Sequence, residues 1–391
     1  MTFFTLAGEK DARVRVLLVQ RSIAPPGGGN LVAAWILESL RDEHEVTLLA
    51  WDTPDLAACN RMFGTSLRHG DFDLHLAAPL TRRIGALTPI PLALVKHGLL
   101  LRQARRLAPG YDLPITADNE ADFGRRGIQY IHYPKLDLER PAVDLRWYHG
   151  SRALRVLYHR IGRAVGGITA DGVRRNLTLV NSEFTAARIR ALHGIEPVVL
   201  HPPVPGAFPA VPWEKRDDGF VMIGRISPEK RIEDGVEILR RVRARGAAVR
   251  LHVVGTDDDP AYTARIRRLA AANAAWITLH ENLARADLVA LLARQRYGIH
   301  AMEGEHFGIA VAEMVRAGCI VFVPRRGGPI EIVGDDDRLL FSSLDEAAER
   351  VIATLRDPER QSALRAHLAE RAEQFSAAHF VTRMREIVRA F

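Results

Sequence analysis

The chain of 391 residues is 47% hydrophobic and 26% charged, a balance that excludes a disordered polymer and a membrane-embedded protein. Its 54 Lys and Arg against 47 Asp and Glu leave a net charge of +7, which suits a phosphorylated substrate, an anionic lipid surface or nucleic acid. Nucleic acid is the least suited of the three, because the basic residues are interspersed with acidic ones and no aromatic stacking motif accompanies them.

This length suits two cores of ordinary size. Cys59 and Cys319 make no disulfide framework, and a cytoplasmic location is expected. The opening "MTFFTLAGEKDAR" has no basic n-region and soon meets acidic residues, so no secretory signal is expected. No solenoid repeat or low-complexity tract is evident.

In chain order, apolar β-branched runs alternate with helix-period segments, the pattern of parallel sheets with crossover helices. Strands are expected at 14–20, 45–51, 113–117, 128–133, 177–182 and 197–203 in the first half. In the second half they are expected at 219–224, 249–255, 276–281, 297–302 and 320–324. The expected fold class is therefore α/β, with two Rossmann-like domains whose parallel sheets face a central cleft. The proline-rich segment 202–219 forbids a continuous helix and reads as the connection between them.

After the first strand come Gly27, Gly28 and Gly29 and then a helix. This arrangement lets backbone approach an anion at the helix start, although a plain turn would look the same. Next, "IPLALVKHGLLL" at 90–101 is flanked by Arg82, Arg83, Arg102, Arg105 and Arg106. It is too short to span a bilayer and reads either as a core helix or as a membrane-surface helix within 82–106. The second alternative extends the cytoplasmic location to peripheral contact with an anionic inner membrane face. Asp118, Asn119 and Glu120 end one strand and could contact acceptor hydroxyls. His132 and Tyr133 end the following strand, where a histidine can exchange a proton or a hydrogen bond near neutrality. A polar turn and a structural histidine are the competing explanations.

The second half holds a further loop, "GRISPEKR". With Ser227 as helix cap and Pro228 as first helical residue, Lys230 falls in the first turn, where it opposes the helix dipole at a cost of about 0.3 to 1 kcal/mol. A bound diphosphate would remove that conflict. In "EGEHFGIAVAEMVRAG" the apolar positions Ile309, Ala312 and Met314 or Val315 share a helical face that ends at Gly318. The free amides of Phe307, Gly308 and Ile309 can take phosphate oxygens, while Glu305 and Glu313 can accept from hydroxyls. That combination suits a nucleotide sugar. The acidic runs 257–259 and 335–337 could hold Mg²⁺ on a diphosphate, but aspartate is also common in turns.

These segments resemble the retaining glycosyltransferases of family 4, which have the GT-B fold. "GRISPEKR" is similar to the family's phosphate-binding loop and "EHFGIAVAE" to its paired-glutamate motif, with "VVG" and "RRGGPIEIV" in the expected order. In the first half, "FGRRGIQYIHYP", "LVNSEFTAARI" and "HPPV" resemble the dolichol-pathway, GDP-mannose-dependent α-1,2-mannosyltransferase branch.

The resemblance implies an acceptor-binding domain at 1–207, a nucleotide-sugar-binding domain at 208–375, and a helix at 376–391 that crosses back onto the first domain. It implies that Arg225 and Lys230 hold the donor diphosphate, that Glu305 orients the donor sugar and that Glu313 binds ribose. The amides of Phe307 to Ile309 would complete the phosphate site, with Gly28, Gly29 and Gly224 close by. Gly255 and Leu283 would border the nucleobase, and His132 would sit beside the anomeric centre. His132, Arg225, Lys230 and Glu305 are thus the expected catalytic set, and Asp118, Asn119 and Tyr133 the expected acceptor contacts. Transfer with retention would need no carboxylate nucleophile, no cofactor and no metal. Mannose from GDP-mannose is the expected donor, with a UDP-hexose or a non-catalytic sugar-nucleotide-binding protein as alternatives. The expected acceptor is a glycan or lipid-linked glycan. Glu303 stands where the branch tends to have another residue, and no counterpart of its long N-terminal membrane anchor is expected. Both departures leave the acceptor open.

Overall fold

The computed structural model describes residues 13–79, 93–139 and 152–391. Continuous apolar runs such as "RVLLV" become strands buried on both faces, as parallel sheets require. The amino-terminal lobe is a seven-stranded sheet of order β3-β2-β1-β4-β5-β6-β7. Its strands are β1 (Arg15–Val19), β2 (Glu45–Ala50), β3 (Asp73–Leu76), β4 (Leu113–Thr116), β5 (Ile128–Ile131), β6 (Leu177–Val180) and β7 (Val198–Val199). The carboxy-terminal lobe is a six-stranded sheet of order β10-β9-β8-β11-β12-β13. It contains β8 (Asp217–Ile223), β9 (Arg250–Gly255), β10 (Ile277–Glu281), β11 (Gln295–Ile299), β12 (Ile320–Pro324) and β13 (Leu340–Phe341). Every strand pairing in both sheets is parallel.

The apolar runs do not announce two of these strands. β3 is an edge strand with mostly exposed residues, so it carries no buried face to leave a pattern. β13 is only two residues long. The connection after β7 also ends earlier than the proline-rich segment suggests, because Asp217 and Asp218 already belong to β8. Both cysteines are buried and free.

In each sheet the chain order reverses at the first strand, so β1 and β4, and likewise β8 and β11, splay their following loops apart and open a crevice. The helix Ala93–Leu107 answers the question raised by the arginine-flanked apolar stretch. Leu100, Leu101 and Ala104 are buried in the amino-terminal lobe, which makes this a core helix over its described length. Arg82, Arg83 and residues 90–92 lie outside the described residues.

The chain ends by returning to its beginning. Ser376 caps the helix Ala377–Ala390, which packs on the helix Gly28–Leu40 and places Phe380, Met384, Ile387 and Val388 in the amino-terminal core. Arg385 Nε donates to Ser39 O at 2.8 Å. Phe380 is 1% exposed, so Phe380→Ala should cost about 3 to 5 kcal/mol in denaturant-unfolding stability. A cost under about 1 kcal/mol would mean that the returning helix is not part of that core.

Candidate active site

The carboxy-terminal half of the site is assembled where β8, β9 and β11 end. Gly224 and Gly255 close one corner: a Cβ on Gly255 would lie 2.4 Å from Gly224 O, so only glycine lets the two turns touch. The stem of Lys230 packs on Gly224. Beyond it, Pro228–Lys230 form a single 3-10 turn and Arg231 takes a left-handed conformation (φ 51°), so the α-helix starts only at Ile232. Ser227 and Pro228 thus open a helical turn as expected, but it is a single 3-10 turn and the Ser227 side chain makes no cap bond. Lys230 precedes the helix, is released from its dipole, and turns across the sheet toward the β11 loop. There its Nζ donates to Glu305 Oε2 and lies 3.4 Å from Met302 Sδ. Arg225 is nearly half exposed, and its guanidinium is shared between Asp258 (2.8 Å) and Glu229 (3.1 Å).

Glu305 is held low by this arrangement. Burial alone would raise its pKa, but the charge of Lys230, and after it His300, brings it down to about 2. Its Oε1 makes no hydrogen bond among the described residues and remains available to a ligand. After Glu305 the chain turns through Gly308 (φ 102°) into the helix Ile309–Arg316. The amides of Phe307, Gly308 and Ile309 make no hydrogen bond among the described residues, leaving three donors at a helix start. "RRGGP" braces this turn from beneath. Gly328 N donates to Glu305 O at 2.8 Å, and a Cβ on Gly328 would strike His306 O at 2.4 Å.

Glu313 lies within that helix and is 9% exposed. Its Oε1 is bonded by Arg285, whose other Nη donates to Pro205 O at 2.9 Å. Arg285 did not stand out in the sequence. The available signal was its place two residues after Leu283, itself half-buried against the carboxy-terminal core.

The amino-terminal lobe contributes the glycine loop and His132. A Cβ on Gly29 would lie 3.2 Å from His132 Nε2, and one on Gly28 would lie 2.9 Å from Ile309 Cδ1. The loop is thus wedged between the histidine of its own lobe and the helix start of the other. His132 Nε2 donates to Ala117 O at 3.0 Å, since a carbonyl can only accept. Burial pushes the ring pKa down to about 4, against the opposing pull of that carbonyl and of Asp118. Burial thus favours the neutral ring, and of the two expected roles the structure shows the hydrogen bond.

The side chains expected to contact the acceptor are engaged internally. Asp118 is 5% exposed and binds Arg21 (2.6 Å), Lys135 (2.6 Å) and His97 (3.1 Å). Burial opposes its charge, but Lys135 and Arg21 hold it well below the usual carboxylate range. Asn119 Oδ1 accepts from the amides of His132 and Tyr133 at 2.8 and 3.1 Å and so shapes the turn that carries the histidine. Tyr133 stacks on His306 of the other lobe, with ring centroids 4.1 Å apart and planes 12° from parallel. Near it Ser182 Oγ donates to His306 O at 2.5 Å and Glu183 N to Glu331 Oε2 at 3.0 Å. Ser182, His306 and Glu331 therefore form an interlobe seam; each lies in a quoted motif, but none was singled out for this contact.

The acidic runs serve their own turns. Asp257 accepts from Thr263, Asp258 meets Arg225 and Asp259 caps the helix Pro260–Ala272. Asp336 and Asp337 meet Arg338 and Arg325. Among the described residues no group of three or more His, Cys, Asp or Glu is arranged to hold a metal ion.

Residues 207–375 match the family model "Glycosyl transferases group 1". The carboxy-terminal lobe is a group 1 glycosyl transferase domain. Over 283 residues the chain is 22% identical to the GDP-Man:Man(3)GlcNAc(2)-PP-Dol alpha-1,2-mannosyltransferase of Xenopus tropicalis, covering 64% of this chain and 58% of that protein. The protein of the same name from Dictyostelium discoideum is 33% identical over 92 residues, or 23% of this chain and 18% of that one. The chain thus spans between about a fifth and three fifths of the length of these relatives. Among solved structures, HepE of Anabaena in complex with UDP-glucose superposes with a TM-score of 0.65 at 15% identity, covering 97% of this chain and all of that one. WaaG, a glycosyltransferase involved in lipopolysaccharide biosynthesis, gives 0.64 at 14% identity, covering 95% and 99%. The fold is GT-B, and the chain is related to the dolichol-pathway mannosyltransferases.

Two measurements probe the glycosyl transferase domain. His300 is 2% exposed and lies 3.7 Å from Glu305, and burial lowers its pKa to about 4. A histidine kept neutral in this way contributes its stability fully above the unfolded value of about 6.5 and loses it as the pH falls toward 4, in all about 3 kcal/mol. His300→Asn should flatten the decline in urea-unfolding stability between those pH values, and an unchanged slope would remove His300 as its source. For Arg285, Arg285→Ala should weaken nucleoside diphosphate binding about tenfold and shrink the preference for a ribonucleotide over its deoxyribo counterpart. Arg285→Lys should restore part of that preference. An unaltered ribose preference would separate Arg285 from the ribose contact expected of Glu313.

Proposed function

We propose that this protein is a retaining hexosyltransferase that moves mannose from GDP-mannose to a hydroxyl of a lipid-linked glycan. The observation that carries this reading is the junction of Lys230, Glu305 and the three free amides of Phe307 to Ile309 at one loop pair. An ammonium group has three donors, so Lys230 can keep Glu305 and still bind a phosphate oxygen. Glu305 retains Oε1 for a sugar hydroxyl, and Arg225, nearly half exposed, supplies the second cation. Charge that develops on the departing diphosphate is then met by preorganised donors, a large source of rate in such transfers.

The acceptor proton passes to the leaving phosphate on the same face of the sugar, which preserves the anomeric configuration without a carboxylate nucleophile. His132 holds the glycine loop in place and lines the reacting face as a neutral ring. GDP and mannose are favoured by the relatives' printed activity, and UDP-glucose in HepE keeps a UDP-hexose as the second reading.

Calorimetry with GDP, UDP and ADP tests the assignment. GDP should bind selectively, and Lys230→Ala should weaken it about 10- to 100-fold, the range for a lost hydrogen bond to a charged group. Equal responses to all three nucleotides would sink the guanine assignment, and unaltered binding by Lys230→Ala would sink the site. His132→Ala should keep GDP affinity while slowing transfer; undiminished turnover would remove the histidine from the mechanism.

A further inference from the structure

We infer that His300 is a positioning residue: it takes up a proton as a nucleoside diphosphate binds, and the imidazolium then holds Glu305 through Nε2. This role rests on the nucleotide-sugar reading of the cleft and goes beyond it. His300 directly follows β11, and its amide donates to Phe322 O at 3.0 Å, so the sheet fixes the backbone that carries the ring. The ring is sealed from solvent, yet its Nε2 has no hydrogen-bond partner among the described residues. It lies 3.7 Å from Glu305 Oε2, the oxygen that Lys230 Nζ already bonds. Hydrogen bonds of this kind span about 2.7 to 3.2 Å, so a movement of about half an ångström completes this one. A carboxylate oxygen accepts from two donors, and Lys230 does not have to leave. A buried nitrogen left unbonded costs free energy, and Glu305 is within reach to relieve it.

Charge sets the direction of the change. In this arrangement Lys230 is matched by Glu305, and Arg225 is shared between Asp258 and Glu229. A diphosphate brings further negative charge to loops whose cations are already matched. His300 is the neighbouring group that can answer it with a proton. Burial, above all, keeps the ring neutral and lowers its pKa to about 4. Two charges act on it as well: Glu305, on the loop that follows its own strand, favours the imidazolium, and Lys230, on the loop after β8, opposes it. A phosphate oxygen on Lys230 offsets that opposition and adds negative charge on the same side. The ring pKa therefore rises on binding, and the complex holds more protons than the free protein. Nucleotide affinity then strengthens as the pH falls through the bound-state pKa, and levels off below the free value of about 4. The proton is drawn from bulk water and returns to it when the nucleotide leaves. Meanwhile Glu305 is gripped from two sides with Oε1 still open to a sugar hydroxyl, so Lys230 can lean toward the phosphate without loosening it.

Calorimetric titration of the full chain with GDP-mannose and with UDP-glucose tests this, because neither diphosphate titrates near neutrality by itself. Two non-phosphate buffers of different ionisation enthalpy report the protons taken up. The count should be at least about half a proton per nucleotide at about pH 6 and near zero at about pH 8, with affinity rising about three- to tenfold between them. His300→Gln and His300→Asn should each bind nucleotide with no proton uptake and a flat pH profile. His300→Gln, whose amide reaches about as far as Nε2, should keep more of the turnover than His300→Asn. The wild-type count needs no variant, so it decides even where a variant fails to fold. Binding without proton uptake would overturn the role of His300 and leave the donor site standing. Uptake that survives in His300→Gln would put the proton on another group, Glu305 first, and would overturn it too. Binding of neither nucleotide would overturn both this role and the reading beneath it.

Discussion

The ion pair between Lys230 and Glu305 joins two loops 75 residues apart, and the rest of the site is arranged around it. Taking an ammonium and a carboxylate out of water costs several kcal/mol per ion, so such a pair is a poor device for stability alone. Its usefulness lies in its position beside the helix-start amides of Phe307 to Ile309. The sheet order makes the meeting possible: β8 and β11 are neighbours, so the loops that follow them open at the same edge. Glycines at 224, 255 and 328 then let backbone approach backbone closely enough to aim the two side chains at each other. The second carboxylate follows the same logic. Arg285 anchors Glu313 to the interlobe connection through Pro205 O, so that acid is oriented before any ligand arrives.

The amino-terminal lobe is tied to this assembly by contacts that cross the cleft. Ile309 packs against the hydrophobic cores of both lobes and touches the glycine loop, while His306 and Phe307 of the same segment stack on Tyr133 and His201. A single helix-start segment therefore bears the amides left unbonded among the described residues and the interlobe packing together. On the far side of that seam a buried cluster of Arg21, Asp118, Lys135 and His97 stiffens the strand ends that carry His132. Lys135 illustrates the tension in the cluster: burial brings its pKa down to about 8 even with Asp118 bonded to it.

Much of this was legible along the chain, because parallel strands buried on both faces leave continuous apolar runs and loops at their ends carry chemistry. Thus Arg225, Lys230, Glu305 and Glu313 could be singled out by residue type and spacing. What stayed hidden was partnership. Asp118 and Asn119 have the composition of hydroxyl-binding residues, and only their burial beside Arg21, Lys135 and two backbone amides shows that they build the turn. Arg285 is one arginine among many until its guanidinium is seen on Glu313. In the helix Arg152–Gly166 three apolar residues spaced among arginines make a weak linear signal, whereas their exposure singles them out.

The order of strands and helices, the two-lobed class and the identity of the chemically equipped loops were determined by the sequence alone, since hydrophobic periodicity and turn chemistry are local properties. The tertiary structure decided which charges neutralise one another and which histidines burial holds neutral. Each of those depends on distance and desolvation between residues far apart in the chain. Neither quantity exists until both sheets have formed and the last helix has closed over the first.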